Sequence, residues 1–351
     1  MEQWPVPPLL ARLTRRLPEG DFLYEPKWDG LRCLARRADT EVDMRSRNLR
    51  PLARYFPELT EAFAALPARR YVLDGEIVAF SGDRFDFAAL LARLHPAASR
   101  VERLRRETPA AFVAFDLLEV EDEDLTRTAA SERRRRLEEV LQGARPPLFL
   151  TPVTEDAATA RDWLVRFSGN GIDGVIAKPP TSTYEPGKRV LVKVKRERTL
   201  DAVVGGMRLV AGEPLVASLL LGLFDDHGIL RHVGVASAFS DQRRRELYDE
   251  LAPAAVAFTG HPWEHGFNLG KSPLGRLGGA AARWTSADRA DWTPLRPELV
   301  CEVAYDQWEG DRFRHPARFK HWRPDRDPQS CTFDQLQIDE AASSREMLVA
   351  P

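Results

Sequence analysis

Up to about residue 200 the chain alternates short stretches of period-two hydrophobicity with stretches of helical period. FLYEPKWDGLRCLAR, YVLDGEIVAF, AFVAFDLLEV, DGVIAKP and VLVKVK carry β-branched and aromatic residues in the rhythm of strands. Between them RYFPELTEAFAAL and AATARDWLVRF repeat apolar residues every three to four positions and predict helices. Strands and helices mixed without a regular βαβ repeat predict an α+β first domain. From about residue 201 the texture changes to short strands split by Gly- and Asp-containing turns, in LDAVVGGMRLV, LVASLLLGLFDD and GILRHVGVAS. A helix near SDQRRRELYDEL and strand-like text around ELVCEVAYDQWEG follow, so the second domain is expected to be a small β-barrel or sandwich. Past about residue 328 few apolar positions are periodic, which predicts a loosely attached tail.

Successive side chains of a strand point to opposite faces, and this parity singles out several charged residues. In YEPKWDGLR, residues 24 to 32, Glu25, Lys27 and Asp29 share one face and Pro26, Trp28 and Gly30 the other. An ammonium there is either a satisfied ion pair or a functional lysine, and this stretch alone leaves both open. In RVLVKVK, Val190, Val192 and Val194 oppose Leu191, Lys193 and Lys195. That is either an edge strand guarded by lysines or a strand aiming paired amines at an anion. In YVLDGEIVAF, Asp74 and Glu76 share a face and offer carboxylates to a metal, a ribose or a lysine, unless Asp-Gly marks a tight turn.

The 351 residues suffice for two ordinary domains, and 43% hydrophobic with 30% charged residues is a globular composition. No apolar run is long enough to span a bilayer and the first 20 residues lack a signal-peptide core, so no membrane contact and a cytoplasmic location are expected. Cys33, Cys301 and Cys331 lie far apart with no CxxC, which favours reduced structural thiols over a disulfide framework or a zinc site. The net charge of -2 does not announce a nucleic-acid binder. Local charge is more informative. KVKRER (193–198) and DRFRHPARFKHWRPDR (311–326) are basic, and the second interleaves Phe313, Phe319 and Trp322, which suits phosphate contact and base stacking. SERRRRLEEVL (131–141) reads instead as a solvated helix face with Arg134–Glu138 and Arg135–Glu139 pairs. GFNLGKS (266–272) is one residue short of a phosphate-binding loop and reads as a surface loop, and no GxGxxG fingerprint is present.

Taken in order, Lys-x-Asp-Gly-x-Arg at Lys27 to Arg32, Asp-Gly-Glu at 74 to 76, FDLL at 115 to 118, DGVIAK at 173 to 178 and VKVK at 192 to 195 resemble the nucleotidyltransferase motifs of ATP-dependent DNA ligases. RFRHPARFKHWRPDR resembles the carboxy-terminal motif of the same superfamily. The small bacterial ligases of the LigC type are similar in text, as is the ligase domain of LigD repair proteins, through YEPGKR and RFRHP.

The resemblance implies an α+β nucleotidyltransferase (adenylation) domain at 1–198, a β-barrel OB-fold domain at 199–328 and a tail at 329–351. Lys27 would attack the α-phosphate of ATP and form lysyl-AMP, with Lys193 and Lys195 neutralising charge. Glu25 would lie at the adenine edge and Phe115 would stack on the base, while Arg32, Arg47 and Glu76 contact sugar and α-phosphate and Lys178 completes the nucleotide site. Asp29, Glu76 and Asp173 would serve Mg2+ or Mn2+. Asp173 departs from the glutamate common in the family, and by parity it needs a bulge or a strand-end position to point inward with Lys178. Arg318, Arg323 and Arg326 would orient pyrophosphate, with a hinge near 197–201 letting the second domain swing away. Nicked duplex DNA is the implied partner of a monomer that associates with the nucleoid when on DNA. Only some 26 residues precede Lys27, which leaves no room for an upstream helical DNA-binding domain, so help from a repair polymerase or end-synapsis protein is expected. An RNA ligase, a GTP-using capping enzyme and an inert nick-binding module are the competing readings. The ending disfavours the first two, and the complete lysine and carboxylate set disfavours the third.

Overall fold

In a computed structural model the chain is described at residues 4–82, 84–95, 97–167, 171–211, 213–264, 267, 292–336 and 343–348. It divides into two compact units, Met1–Arg196 with Glu340–Pro351, and Glu197–Asp339. The first is built on two sheets. The smaller orders Leu10–Thr14, Arg189–Val194, Ile172–Lys178 and Leu23–Trp28, the first pair parallel and the others antiparallel. The larger runs Glu41–Ser46, Leu31–Ala38, Arg70–Ser81, Ala110–Val120 and Glu123–Asp124, with Arg84–Phe85 added to its third strand and Leu148–Leu150 to its fourth.

Alternation along the central strand Arg70–Ser81 decides where a site can lie. On one face Tyr71, Leu73, Ile77 and Ala79 are fully buried with Leu59 and Phe63 of helix Pro57–Ala64 and Leu137 and Leu141 of helix Ala130–Leu141. The other face reads Val72, Asp74, Glu76, Val78. Val72 joins Leu9, Leu34, Leu118 and Leu191 in one apolar cluster, and Val78 joins Tyr24, Trp28, Val175 and Val194 in another. The two acids therefore fall between the clusters that tie the sheets together, where only paired or ligand-facing charges are tolerated. Asp74-Gly75 is not a turn. The strand continues through it, and a Cβ on Gly75 would stand 2.2 Å from the Phe112 ring, so glycine is what lets the neighbouring strand pack this close.

Helix Ala157–Arg166 is capped by Asp156, whose carboxylate accepts from the amides of Ala158 and Thr159. Arg93, with no exposed side-chain surface, forks onto Glu58 at 2.7 and 2.9 Å and donates to the Tyr55 carbonyl, which fixes the start of helix Pro57–Ala64.

The second unit is a five-stranded antiparallel sheet ordered Leu230–Ala236, Val216–Phe224, Arg198–Leu209, Thr293–Tyr305 and Arg318–Trp322. Its two ends meet. Ala236 bridges Ala317, and the Ala317 amide donates to the Val235 carbonyl at 2.8 Å, so the sheet curls into a barrel, the OB-fold. Helix Asp241–Leu251, capped by Ser240, buries Leu247 and Leu251 in the barrel core. The aromatics of the basic ending also serve that core: Phe313 is buried, and Phe319 and Trp322 pack on the core half-buried and meet each other edge to face at 5.1 Å. Phe319 and Trp322 stand three positions apart yet meet because the register shift between Glu302 and Val303 leaves an extra residue in their strand, and Phe313 is closed to base stacking.

One expectation changes. The chain past residue 328 is not a loose tail throughout: Cys331 is fully buried, Gln335 brackets the Asp201 backbone through its amide and carbonyl at 2.9 and 3.0 Å, and Met347 packs into the cluster around Val78. The stretch 266–272 lies outside the described residues apart from Phe267. Cys33, Cys301 and Cys331 are buried thiols, and among the described residues no helix is long and apolar enough to cross a membrane.

Candidate nucleotide site

Between the two apolar clusters of the first unit lies a cavity of about 730 Å³. Glu25, Lys27 and Asp29 reach it from strand Leu23–Trp28 and its end, Arg32 and Glu76 from the larger sheet, and Lys178 and Lys193 from the next two strands of the smaller sheet. Phe115 and Arg47 also line it, Arg47 being exposed. The sequence places Lys27 there by a simple device. Trp28 turns the opposite way, is buried, and donates its indole N–H to the Thr151 hydroxyl at 2.9 Å, which fixes the rotation of the strand.

Lys27 pairs in register with Gly174, and the register shifts between Ile172 and Gly174, so Asp173 occupies a bulge. The bulge resolves the parity conflict between Asp173 and Lys178. Asp173 meets Lys27 at 2.7 Å and Lys195 at 2.9 Å. Its desolvation alone would raise the carboxyl, but Lys27 and Lys195 outweigh it and hold the group below the usual carboxylate range. Gly174 allows the approach of the neighbouring strand, since a Cβ there would stand 2.1 Å from the Val194 carbonyl oxygen. Partial burial first, then the charges of Lys27 and Lys195, push the Lys193 amine down.

Glu76 accepts from the Gly30 amide at 3.2 Å. Burial lifts its carboxyl to about 7; Arg32 and Lys27 oppose the rise and Asp29 adds to it. Asp29, Glu76 and Asp173 do not form one metal-binding group, because the bulge commits Asp173 to the amines, and among the described residues no three His, Cys, Asp or Glu side chains converge on an ion. Asp29 and Glu76, two like charges on one cavity, fit a divalent cation that takes its other ligands from phosphate oxygens and water.

Arg32 is bound through both oxygens of Asp74, at 2.6 Å each, and its guanidinium covers one face of Phe115 at 4.4 Å from the ring centre. At the other end of the cavity Lys178 donates to Glu25 at 3.1 Å, to the Phe115 carbonyl at 3.0 Å and to Asp116 at 3.4 Å. Asp116 in turn is gripped by Arg133 at 2.8 Å. Burial would raise the Asp116 carboxyl, but Lys178 and Arg133 bring it below its ordinary value.

The remaining candidates belong to the second unit. Arg318 pairs with Glu197 at 2.7 Å, Arg323 with Asp201 at 3.0 Å and with Asp325, and Arg326 with Asp201 at 3.5 Å. Sequence reasoning missed Asp116, Arg133 and Tyr184 as parts of the site. Asp116 follows Phe115 directly in FDLL and Tyr184 opens YEPGKR, so both lie within the motifs that carry the family resemblance. Arg133 carried no signal apart from its neighbours. The SERRRR helix does form the pairs of Arg134 with Glu138 and Arg135 with Glu139, yet Arg133 on its inner side has no exposed side-chain surface.

Comparison with known proteins agrees with this geometry. Residues 8–195 match the ATP dependent DNA ligase domain and residues 212–326 the ATP dependent DNA ligase C terminal region. DNA ligase C2 of Mycolicibacterium smegmatis is 49% identical over 342 residues, covering 97% of this chain and 96% of that protein. DNA ligase C of Mycobacterium tuberculosis is 46% identical over 338 residues, covering 95% and 94%. A solved Lig E DNA ligase, 17% identical, shares the fold with a TM-score of 0.54 over 90% of this chain and 99% of that one. Two lysines around a bulged aspartate, a carboxylate-lined cavity and a closed barrel thus occur in a chain that belongs to the ATP-dependent DNA ligase family.

Proposed function

We propose that the protein seals nicks between a 5′-phosphate and a 3′-hydroxyl in duplex DNA, using ATP and a covalent AMP on Lys27. The observation that carries this reading is the Lys27 amine, open to the cavity and bracketed by Asp173, Lys195 and the neighbouring Lys193. A free lysine is neutral in about one molecule in 2,500 at pH 7, and attack requires that neutral form. Asp173 orients the amine. The nitrogen of Lys27 forms a bond to the α-phosphorus, the bond from that phosphorus to the bridging oxygen breaks, and pyrophosphate leaves with the electron pair. Lys193 and Lys195 stabilise the charge that builds on the phosphoryl oxygens.

Transfer follows the same chemistry in reverse sense: an oxygen of the 5′-phosphate attacks the phosphoramidate, the nitrogen–phosphorus bond breaks, and Lys27 recovers its amine. The 3′-hydroxyl then attacks the activated 5′-phosphate and AMP departs. In this reading adenine stacks on the face of Phe115 that Arg32 leaves open, Glu25 with Lys178 borders its edge, and Arg32, Arg47 and Glu76 hold sugar and α-phosphate. A divalent cation held by Asp29 and Glu76 with phosphate oxygens would supply charge neutralisation at the phosphates. Arg318, Arg323 and Arg326 are assigned to the departing pyrophosphate. A role in DNA repair beside a polymerase or an end-synapsis protein is part of the same proposal.

Intact mass after incubation with Mg2+ and ATP, or with GTP, tests it on protein first stripped with pyrophosphate. One AMP gained from ATP alone, and absent in Lys27→Ala, is the expected result. A GMP adduct would transfer the reading to a capping-type enzyme, and no adduct from folded protein would overturn the nucleophile.

A further inference from the structure

Arg133, Asp116, Lys178 and Glu25 form a chain of alternating charge beside the cavity. Arg133 donates from Nε to Asp116 Oδ1 at 2.8 Å and from Nη2 to Oδ2 at 3.1 Å. Lys178 sits between the Asp116 and Glu25 carboxylates, nearer Glu25, at 3.4 and 3.1 Å. All four side chains are buried, with exposures of 0% for Arg133, 4% for Asp116 and Lys178 and 5% for Glu25. Glu25, Asp116 and Lys178 line the cavity, and Arg133 does not.

The bonds are distributed in a way that constrains Lys178. Asp116 Oδ1 is shared by Arg133 and the Leu117 amide, at 2.8 and 3.0 Å, and Oδ2 takes the second arm of the guanidinium. A carboxylate so occupied makes only a long contact to the ammonium, which is left to bind Glu25 and the Phe115 carbonyl. The other guanidinium nitrogen donates to the Thr128 and Ser182 carbonyls at 2.6 and 2.9 Å, so Arg133 cannot follow Asp116 if it shifts. Without Arg133, Asp116 would be a buried carboxylate with one cation in reach, and it would draw Lys178 away from Glu25.

We propose that Arg133 is a positioning residue for base recognition: by occupying Asp116 it keeps Lys178 bridged to Glu25, and so sets the preference of the pocket for adenine. The inference rests on the assignment of Glu25 to the base edge. Adenine presents an amino donor where hypoxanthine presents a carbonyl acceptor, so a misplaced Glu25–Lys178 pair should blur the distinction between ATP and ITP.

The test is the ratio of ITP to ATP dissociation constants, by titration calorimetry, on full-length protein carrying Lys27→Ala to prevent turnover. Arg133→Met is expected to compress the ratio about tenfold, equivalent to roughly 1.4 kcal/mol of lost discrimination. Arg133→Lys keeps a charge but loses the fork, and is expected to compress it about threefold. Arg134→Met, on the same helix, releases its 2.7 Å bond to the Thr151 carbonyl and should leave the ratio unchanged. A wild-type ratio in Arg133→Met overturns the proposal even if that variant melts at lower temperature, and if Arg133→Met does not fold, a wild-type ratio in Arg133→Lys does so. Glu25→Gln separates the two ideas. If it collapses the ratio and the Arg133 variants do not, the relay fails; if it too leaves the ratio intact, the base-edge assignment fails.

Discussion

The phenol of Tyr184 donates to Asp74 over 2.6 Å and accepts from the Leu9 amide at 2.9 Å, tying a loop, the central strand and the approach to the first strand into one buried node. Asp74 spends its remaining capacity on Arg32, so the node decides where the guanidinium over Phe115 stands. Tyr184→Phe removes only the hydroxyl. It leaves the Leu9 amide without its acceptor and should cost about 1–3 kcal/mol in urea unfolding. The same variant should raise KM for ATP in the adenylation step more than it lowers kcat, and an unchanged KM would detach Tyr184 from nucleotide binding.

Asp173 holds two ammonium groups with one oxygen. Asp173→Asn keeps the shape and removes the charge, so Lys27 and Lys195 repel without a mediator. Single-turnover adenylation should fall by about 10- to 100-fold, in line with losing a charge-assisted hydrogen bond that orients a reacting group. Asp173→Glu keeps the charge and should retain most of the rate. Equal rates in Asn and wild type would show that the pair is only structural.

Glu76 gives a pH signature. Its carboxyl titrates at about 7 in the folded protein because burial penalises the charge, against about 4.3 in an unfolded chain. The native state therefore holds this proton more tightly, and its contribution to stability is present in full below about 4.3, declines as pH rises and is gone above about 7. Glu76→Gln has no such titration and can still accept from the Gly30 amide. Melting temperatures without nucleotide or metal should show the variant most favoured over wild type above pH 7, with the gap closing as pH falls towards 5. A gap independent of pH would contradict the burial argument.

Gly174 has φ of 153° and no room for a Cβ beside the Val194 carbonyl. Gly174→Ala should move the strand carrying Lys193 away from the strand carrying Asp173 and so loosen the group of amines around that carboxylate. We expect a loss of about 2–4 kcal/mol in stability together with slow adenylation that ATP concentration does not restore. Wild-type adenylation kinetics in a folded variant would mean that the bulge tolerates a side chain.

Much of this was legible because parity is a local property. Lys27 against Trp28, and Lys193 against Val192 and Val194, face as alternation requires, and Asp173 needed the bulge that the register shift supplies. The strand through Asp74-Gly75 was ambiguous because Asp-Gly is also a turn signal; what decides it is the Phe112 ring, a contact across strands that no local window contains. Arg133 was hidden for the same reason. Four consecutive arginines look alike in sequence, and only the helix phase relative to Asp116 selects the one that goes inside. Phe313 of the basic ending misled in the opposite direction, since a core aromatic set between exposed cations imitates a stacking residue.

The parallel pairing of Leu10–Thr14 with Arg189–Val194 joins residues almost a whole unit apart in the chain. Loops of that length close late, and folding that depends on such distant contacts is slow. On the ribosome strand Leu10–Thr14 must wait for its neighbour to emerge, so a nascent chain carries Lys27 long before it carries the cavity around it. On the proposed role of Lys27, the first adenylation would mark completion of the unit, and a chain stopped within it would carry the lysine without the strands that line its cavity.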